Sequence, residues 1–229
     1  MKIAVLGCDV PLGKKNLADD RLEKLKDLFH AQKITFIQID FQDSSHLKDA
    51  DGILCGLKAK LDLVLADLEI IESHLLDEQN KDLLLRSKEA LEKEVILAEV
   101  PFSEEEKKLL LNLNLVTLKP AAFVDEQNLA VLPEVISSAY AACGMISFFT
   151  VNEKELRAWP IKKGTTAFEA AGAIHSDIQR GFIKAEVVGY IDLVKSGGLN
   201  PAKAKGLVRL EDKGYIVKDG DLLQIRFNV

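Results

Sequence analysis

The final third of the chain, Leu156 to Val229, constrains the fold most, because its apolar spacing changes period several times within a short span. Leu156 to Ile161 alternates as a strand and turns at Lys162-Lys163-Gly164. Thr165 and Thr166 then offer N-caps to a helix of small residues, Phe168 to Ile174, because a threonine oxygen can accept from an otherwise unpaired N–H of the first turn. A second strand is predicted over Phe182 to Val188. A short helical piece follows from Ile191 to Val194 and is stopped by Ser196-Gly197-Gly198. Three short strands complete the unit: Leu207 to Leu210, Gly214 to Val217, and Leu222 to Phe227 after the Asp219-Gly220-Asp221 turn. With no room for a second long helix, the pattern is a small sheet wrapped over one helix, a β-grasp arrangement.

The chain has 229 residues, 48% of them apolar, enough for one good core or two small ones. No apolar run approaches the roughly 20 residues needed to span a bilayer, so no membrane partner is expected. Met1 to Gly7 reads as a strand rather than a leader peptide. Cys8, Cys55 and Cys143 have unrelated spacings, which suits a reducing cytoplasm and gives no disulfide framework. The histidines are scattered, and no metal site is expected. From Glu155 onward 12 Lys and Arg face 9 Asp and Glu, so the net −6 of the whole chain conceals a mildly basic end and an acidic front. The basic end is either an ordinary solvated surface or a face that touches RNA phosphate.

The front half opens with a buried-type strand, Lys2 to Leu6, leading into Gly7-Cys8-Asp9-Val10-Pro11-Leu12-Gly13-Lys14-Lys15. This run resembles a Walker A loop, in which backbone N–H groups and a lysine hold phosphates and a hydroxyl holds magnesium. Here five residues separate Gly7 from Gly13, and Lys15 stands at the hydroxyl position. A surface turn and a phosphate cradle are both open readings. A helix is expected from Asp19 to Phe29, and strands over Lys33 to Asp40 and Gly52 to Cys55, with Cys55 a core thiol. Leu57, Leu61, Val64, Leu68, Ile71 and Leu75 step by heptad spacing and predict a helix whose apolar stripe meets a return helix, Lys81 to Val95, through Leu84, Leu91 and Val95. Ser103 to Glu106 is a capping box that starts a helix to Leu113. A strand from Leu115 to Val124, a helix from Pro133 to Ala142 and a strand from Met145 to Thr150 follow.

Two blocks carry a specific likeness: FFTVNEKELRAWPIKKGTTAFEAAGAIHSDIQRGFIKAEVV, beginning at Phe148, and the terminal VKDGDLLQIRFNV. They resemble the C-terminal TGS domain of the YchF/Obg-like ATPase family, and the likeness runs almost unbroken from about Ala139 to Val229. Asp19 to Leu25 resembles a helix that lies later in that family's nucleotide domain, which implies that the intervening helix and first switch are deleted. Asp40 falls where the family's magnesium-side aspartate would stand, but Phe41-Gln42-Asp43 follows in place of its glycine. The stretch after Val124 has no asparagine at the base-reading position and Leu129 where a glutamate belongs.

The resulting expectation is an α/β chain: a truncated P-loop-like, Rossmann-type sheet over residues 1–150 with a helical hairpin at about 57–95, then a TGS-like β-grasp domain over 151–229. The resemblance implies a non-catalytic relative that uses its TGS domain to bind the ribosome, RNA or a protein. No catalytic residue and no cofactor are expected. The alternative is weak ATP or GTP binding with magnesium through Gly7, Gly13, Lys14 and Asp40. His175, Lys184 and Arg226 are the polar contacts expected of the terminal module, and Trp159 is expected in its core.

Overall fold

A computed structural model of the protein describes residues 1–75, 80–125, 132–152 and 154–228. The chain forms two compact units: residues 1–15 with 38–143, and residues 16–37 with 144–229.

The first unit is built on a five-stranded sheet. Its strands are β1 (Lys2–Leu6), β2 (Gly13–Asn16, which ends as the chain leaves the unit), β4 (Gln38–Gln42), β5 (Gly52–Gly56) and β6 (Ala121–Val124), in the order β2-β4-β1-β5-β6. β1 runs parallel to β4 and β5, and β5 parallel to β6. β5 is buried along its whole length, as a strand covered on both faces must be. Three helices, α2 (Lys60–His74), α3 (Lys81–Glu92) and α4 (Glu104–Leu111), share a core of Val64, Ile71, Leu84, Leu91 and Leu110.

The hairpin is therefore present, and Val64, Leu68, Ile71 and Leu75 of the heptad stripe pack in its core, but the first two positions of the stripe do not. Leu57 and Leu61 are about half exposed, while Leu63 and Asp67 are buried. Asp67 adds a polar tie beside this stripe. Its carboxylate accepts from the N–H groups of Val116 and Thr117 at 2.9 and 2.6 Å and from the Thr117 hydroxyl at 2.6 Å. That pins α2 to a 3-10 turn at Val116–Leu118, so the strand expected from Leu115 begins only at Ala121. Ser103 and Glu106 form the reciprocal capping box of α4. The last helix of the unit is α5 (Leu132–Ala142).

The second unit carries a six-stranded mixed sheet, order β10-β9-β11-β7-β8-β3. Its strands are β3 (Lys33–Thr35), β7 (Met145–Val151), β8 (Glu155–Lys162), β9 (Phe182–Gly189), β10 (Arg209–Glu211) and β11 (Asp221–Phe227). The helices are α1 (Asp20–Phe29), α6 (Ala167–Ile174), α7 (Ser176–Arg180), α8 (Tyr190–Ser196) and α9 (Leu199–Ala204). Asp19 caps α1, and Thr166 with Glu169 caps α6 reciprocally. Ala167, Ala170 and Ala171 lie against Phe148, Ile161, Ala185, Val187 and Leu223. Small residues let this helix approach the sheet closely. Trp159 packs against the same core and donates Nε1–H to Thr150 Oγ1 at 2.9 Å.

The predicted strand Lys33 to Asp40 is in fact two strands in two sheets. Lys33–Thr35 pairs in parallel with Glu155–Arg157, whereas Gln38–Gln42 pairs with β1. The division also differs from one drawn at residue 150, because residues 16–37 join the C-terminal unit. Arg21 holds them there: it bridges Asp19 and Asp219 at 2.8 and 2.7 Å and lies over the Phe149 ring. Residues 214–217 make only an isolated bridge, Thr166 to Ile216, in place of the expected strand. The helices α7 and α9 were not expected.

Candidate functional site

In a phosphate-binding strand–loop–helix, the loop's N–H groups and the first turn of the helix point at one anion. Here β1 ends at Leu6, and the loop from Gly7 leads into the strand β2, with no helix in between. Gly7 has φ +64°, and a Cβ on it would lie 2.2 Å from the Ala59 Cβ, so glycine is required both by its conformation and by close packing. Gly13 and Lys14 are the first residues of β2, an edge strand, and the Lys14 side chain is exposed. Two strand spacings separate β2 from β1, about 10 Å at ordinary sheet geometry.

Asp40 is not at a strand end. It lies in the middle of β4 beside Lys2, with Phe41 and Gln42 continuing the ladder to Ala4. Leu6 is four residues further along β1, about 13 Å at strand rise, so the structure does not gather Asp40 and the Gly7 loop into one cluster. The acidic residue that follows β4 is Asp43, which sequence reasoning passed over. Its carboxylate accepts from Ser45 N–H at 2.9 Å and from the Ser45 hydroxyl, and these bonds hold its pKa below the usual carboxylate range. The signal was available in Asp43-Ser44-Ser45, an Asx-turn sequence. The base-reading stretch at 126–131, including Leu129, lies outside the described residues. Cys55 is fully buried, and burial pushes its thiol up to about 11.

The second unit treats its three candidate residues differently. Lys184 on β9 and Arg226 on β11 are direct cross-strand partners. They alternate with Ala185 and Ile225, which face α6, so both project from the opposite face of the sheet. His175 stays on the helical side, at the junction of α6 and α7. There its Nδ1 accepts from Asp177 N–H at 3.1 Å, so it starts a second helix as well as ending the first.

Beside Arg226 lies an open cleft of about 210 Å³, lined by Glu186, Lys203, Val208, Arg209, Leu210 and Arg226. Glu186 is its centre. Only 11% of its side chain is exposed, and it carries two cations: Lys203 Nζ on Oε2 at 2.7 Å and Arg226 on Oε1, with Nε at 2.8 Å. Those bonds, Lys203 first and Arg226 second, hold the carboxyl below its usual range. Lys184 instead pairs with Asp212. Glu186 and Lys203 were not anticipated, since a lone Glu in an apolar alternation and a Lys in a short helix carry no motif. Among the described residues no helix is long and apolar enough to cross a membrane.

Comparison with known proteins places this geometry. Residues 145–228 match the family YchF-GTPase_C, described as a protein of unknown function (DUF933). The chain is 31% identical to the "Ribosome-binding ATPase YchF" of Bacillus subtilis over 329 aligned residues, covering 96% of this chain and 90% of that protein. Against the human "Obg-like ATPase 1" it is 46% identical over 97 residues, which is 42% of this chain and 24% of that one. Among solved structures, the Schizosaccharomyces pombe YchF GTPase shares the fold with a TM-score of 0.77 at 18% identity, over 96% of this chain and 88% of that one. With a relative above 30% identity matched along nearly its whole length, the chain belongs to the YchF/Obg-like ATPase family.

Proposed function

We propose that this protein is a non-catalytic member of its family, in which a trimmed nucleotide-domain sheet serves as scaffold and a TGS-like, β-grasp C-terminal unit binds the ribosome. One observation carries the reading: after β1 the chain goes through the Gly7 loop into an edge strand instead of a helix. Without that helix N-terminus, neither converging N–H groups nor a favourable dipole is aimed at a triphosphate. Phosphoryl transfer depends almost wholly on such positioning and on electrostatics, so their loss removes the basis for turnover.

The alignment with the Bacillus subtilis protein supports the trimming. It spans 329 positions whereas this chain has 229 residues, so at least 100 positions face gaps in this chain. Ribosome binding is taken from the name of that relative, and a cytoplasmic location follows from the same reading. The alternative, weak ATP or GTP binding with magnesium, would need Gly7, Gly13 and Lys14 to converge on one phosphate. Isothermal titration with ATP and with GTP in the presence of magnesium tests the choice. No binding heat is expected, and micromolar affinity for either nucleotide that is lost in Lys14→Ala would establish the alternative. Co-sedimentation of the full chain with ribosomes is expected, and its absence would defeat the binding role.

A further inference from the structure

The geometry points to a binding site in the first unit for a free phenol-class molecule, a single aromatic ring with one hydroxyl, in a pocket where the turn of the helical hairpin meets α4. The pocket has a volume of about 150 Å³ and is lined by Leu83 and Leu84 of α3, Leu109 and Leu110 of α4, and Leu113 just beyond it. A leucine-walled cavity of about that size stays dry and takes up a benzene-sized ring. Water finds no hydrogen-bond partner on such walls, whereas a ring supplies the dispersion contacts that they lack. Leu83, Leu84 and Leu110 belong to the hairpin core and are almost wholly buried, so they form the base, while Leu109 is 42% exposed and stands at the mouth.

Among the described residues, two polar side chains complete the lining, His74 and Asn80, both exposed and so at the mouth. His74 Nδ1 lies 2.9 Å from the Ile70 carbonyl oxygen, which can only accept, so Nδ1 carries the proton and the neutral imidazole keeps Nε2 as an acceptor. Asn80 opens α3 with φ +59° and makes no side-chain cap bond, which leaves its amide N–H groups for another oxygen. A phenolic hydroxyl both donates and accepts, and so satisfies the pair: its O–H donates to Nε2 and its oxygen takes an amide N–H. A tyrosine side chain of a partner does not fit the same place. Its hydroxyl is the atom farthest from its backbone and would be pushed among the leucines at the base, where an unpaired polar group is costly. A free molecule enters the other way round, ring inward and hydroxyl outward.

The test is a titration of the full chain with phenol and with benzene, followed through the leucine methyl resonances in heteronuclear NMR spectra. Phenol is expected to shift the methyls of the five pocket leucines with submillimolar affinity, and to bind about fivefold more tightly than benzene, the worth of one net hydrogen bond. His74→Ala should erase that preference and leave benzene affinity unchanged, a split that a merely structural histidine would not produce. Leu109→Trp, at a position with room for a larger side chain, should fill the pocket and abolish binding of both ligands. An unfolding midpoint equal to that of wild type shows that this variant is folded, and His74→Ala carries the test if it is not. No methyl shift in the wild type, equal affinities for phenol and benzene, or undiminished binding by folded Leu109→Trp would each overturn the proposal. So would N-acetyltyrosinamide binding at these leucines more tightly than p-cresol, since the pocket would then be an anchor for a protein side chain.

Discussion

Two glycine turns, one in each unit, leave a buried strand and come to different ends. After β8 the chain turns at Gly164, φ +94°, and enters α6 through the Thr166–Glu169 capping box. After β1 it turns at Gly7, φ +64°, and enters a strand. At Gly164 nothing lies within 4 Å of an added Cβ, whereas at Gly7 the space is already filled by Ala59. The first turn keeps a helix N-terminus with its donors satisfied by a side chain. The second keeps only the backbone reversal. What a phosphate needs from such a place is open space in front of N–H groups, and at Gly7 a methyl group occupies the approach on the Cβ side.

That contrast yields unfolding experiments in which the two sites are substituted alike. Gly7→Ala is expected to cost about 3 kcal/mol, from left-handed strain together with a contact that forces Ala59 to move. Gly164→Ala should cost only the strain, about 1 kcal/mol. Equal costs in urea titrations of the two variants would break the comparison. Thr166→Ala, which removes the oxygen that accepts from Glu169 N–H at 3.3 Å, should also cost about 1 kcal/mol. Lys14→Ala should leave stability within about 0.5 kcal/mol of wild type, because the side chain stands exposed on an edge strand.

Acid sharpens the comparison from the side of the second unit. The Glu186 carboxyl has a folded pKa below its ordinary value of 4.5, owing to Lys203 and then Arg226. A depressed pKa contributes stability that is present above the unfolded value and is lost as pH falls through the folded one. The stability gap between wild type and Glu186→Gln should therefore be constant near neutrality and close as pH falls below the ordinary 4.5 and through the depressed folded value. A gap that does not change on acidification would mean that the two cations do not bind the carboxylate selectively.

Features that depend on neighbours in sequence were legible before the fold was known. Ser103 with Glu106 is a capping box at the expected residues, Thr166 is one of the two threonines expected as N-cap, and Lys2 to Leu6 is the strand that its apolar run predicts. His175 was only half legible: its place at the end of a helix was read, its start of the next was not. The Glu186 cleft was not legible at all, because its members come from β9, α9 and β11 and meet only through strand register.

Local chemistry decided where helices begin, where turns reverse, and that Arg226 and Lys184 sit on strands. Tertiary structure decided the rest: that residues 33–42 break into two strands belonging to different sheets, that buried Asp67 accepts from Val116 and Thr117, and that Lys14 lies on an edge strand. The reason is physical. A cap or a turn is satisfied within a few residues of chain, whereas strand partners and buried carboxylates are satisfied by donors far away in sequence, and no local pattern records which of them will arrive.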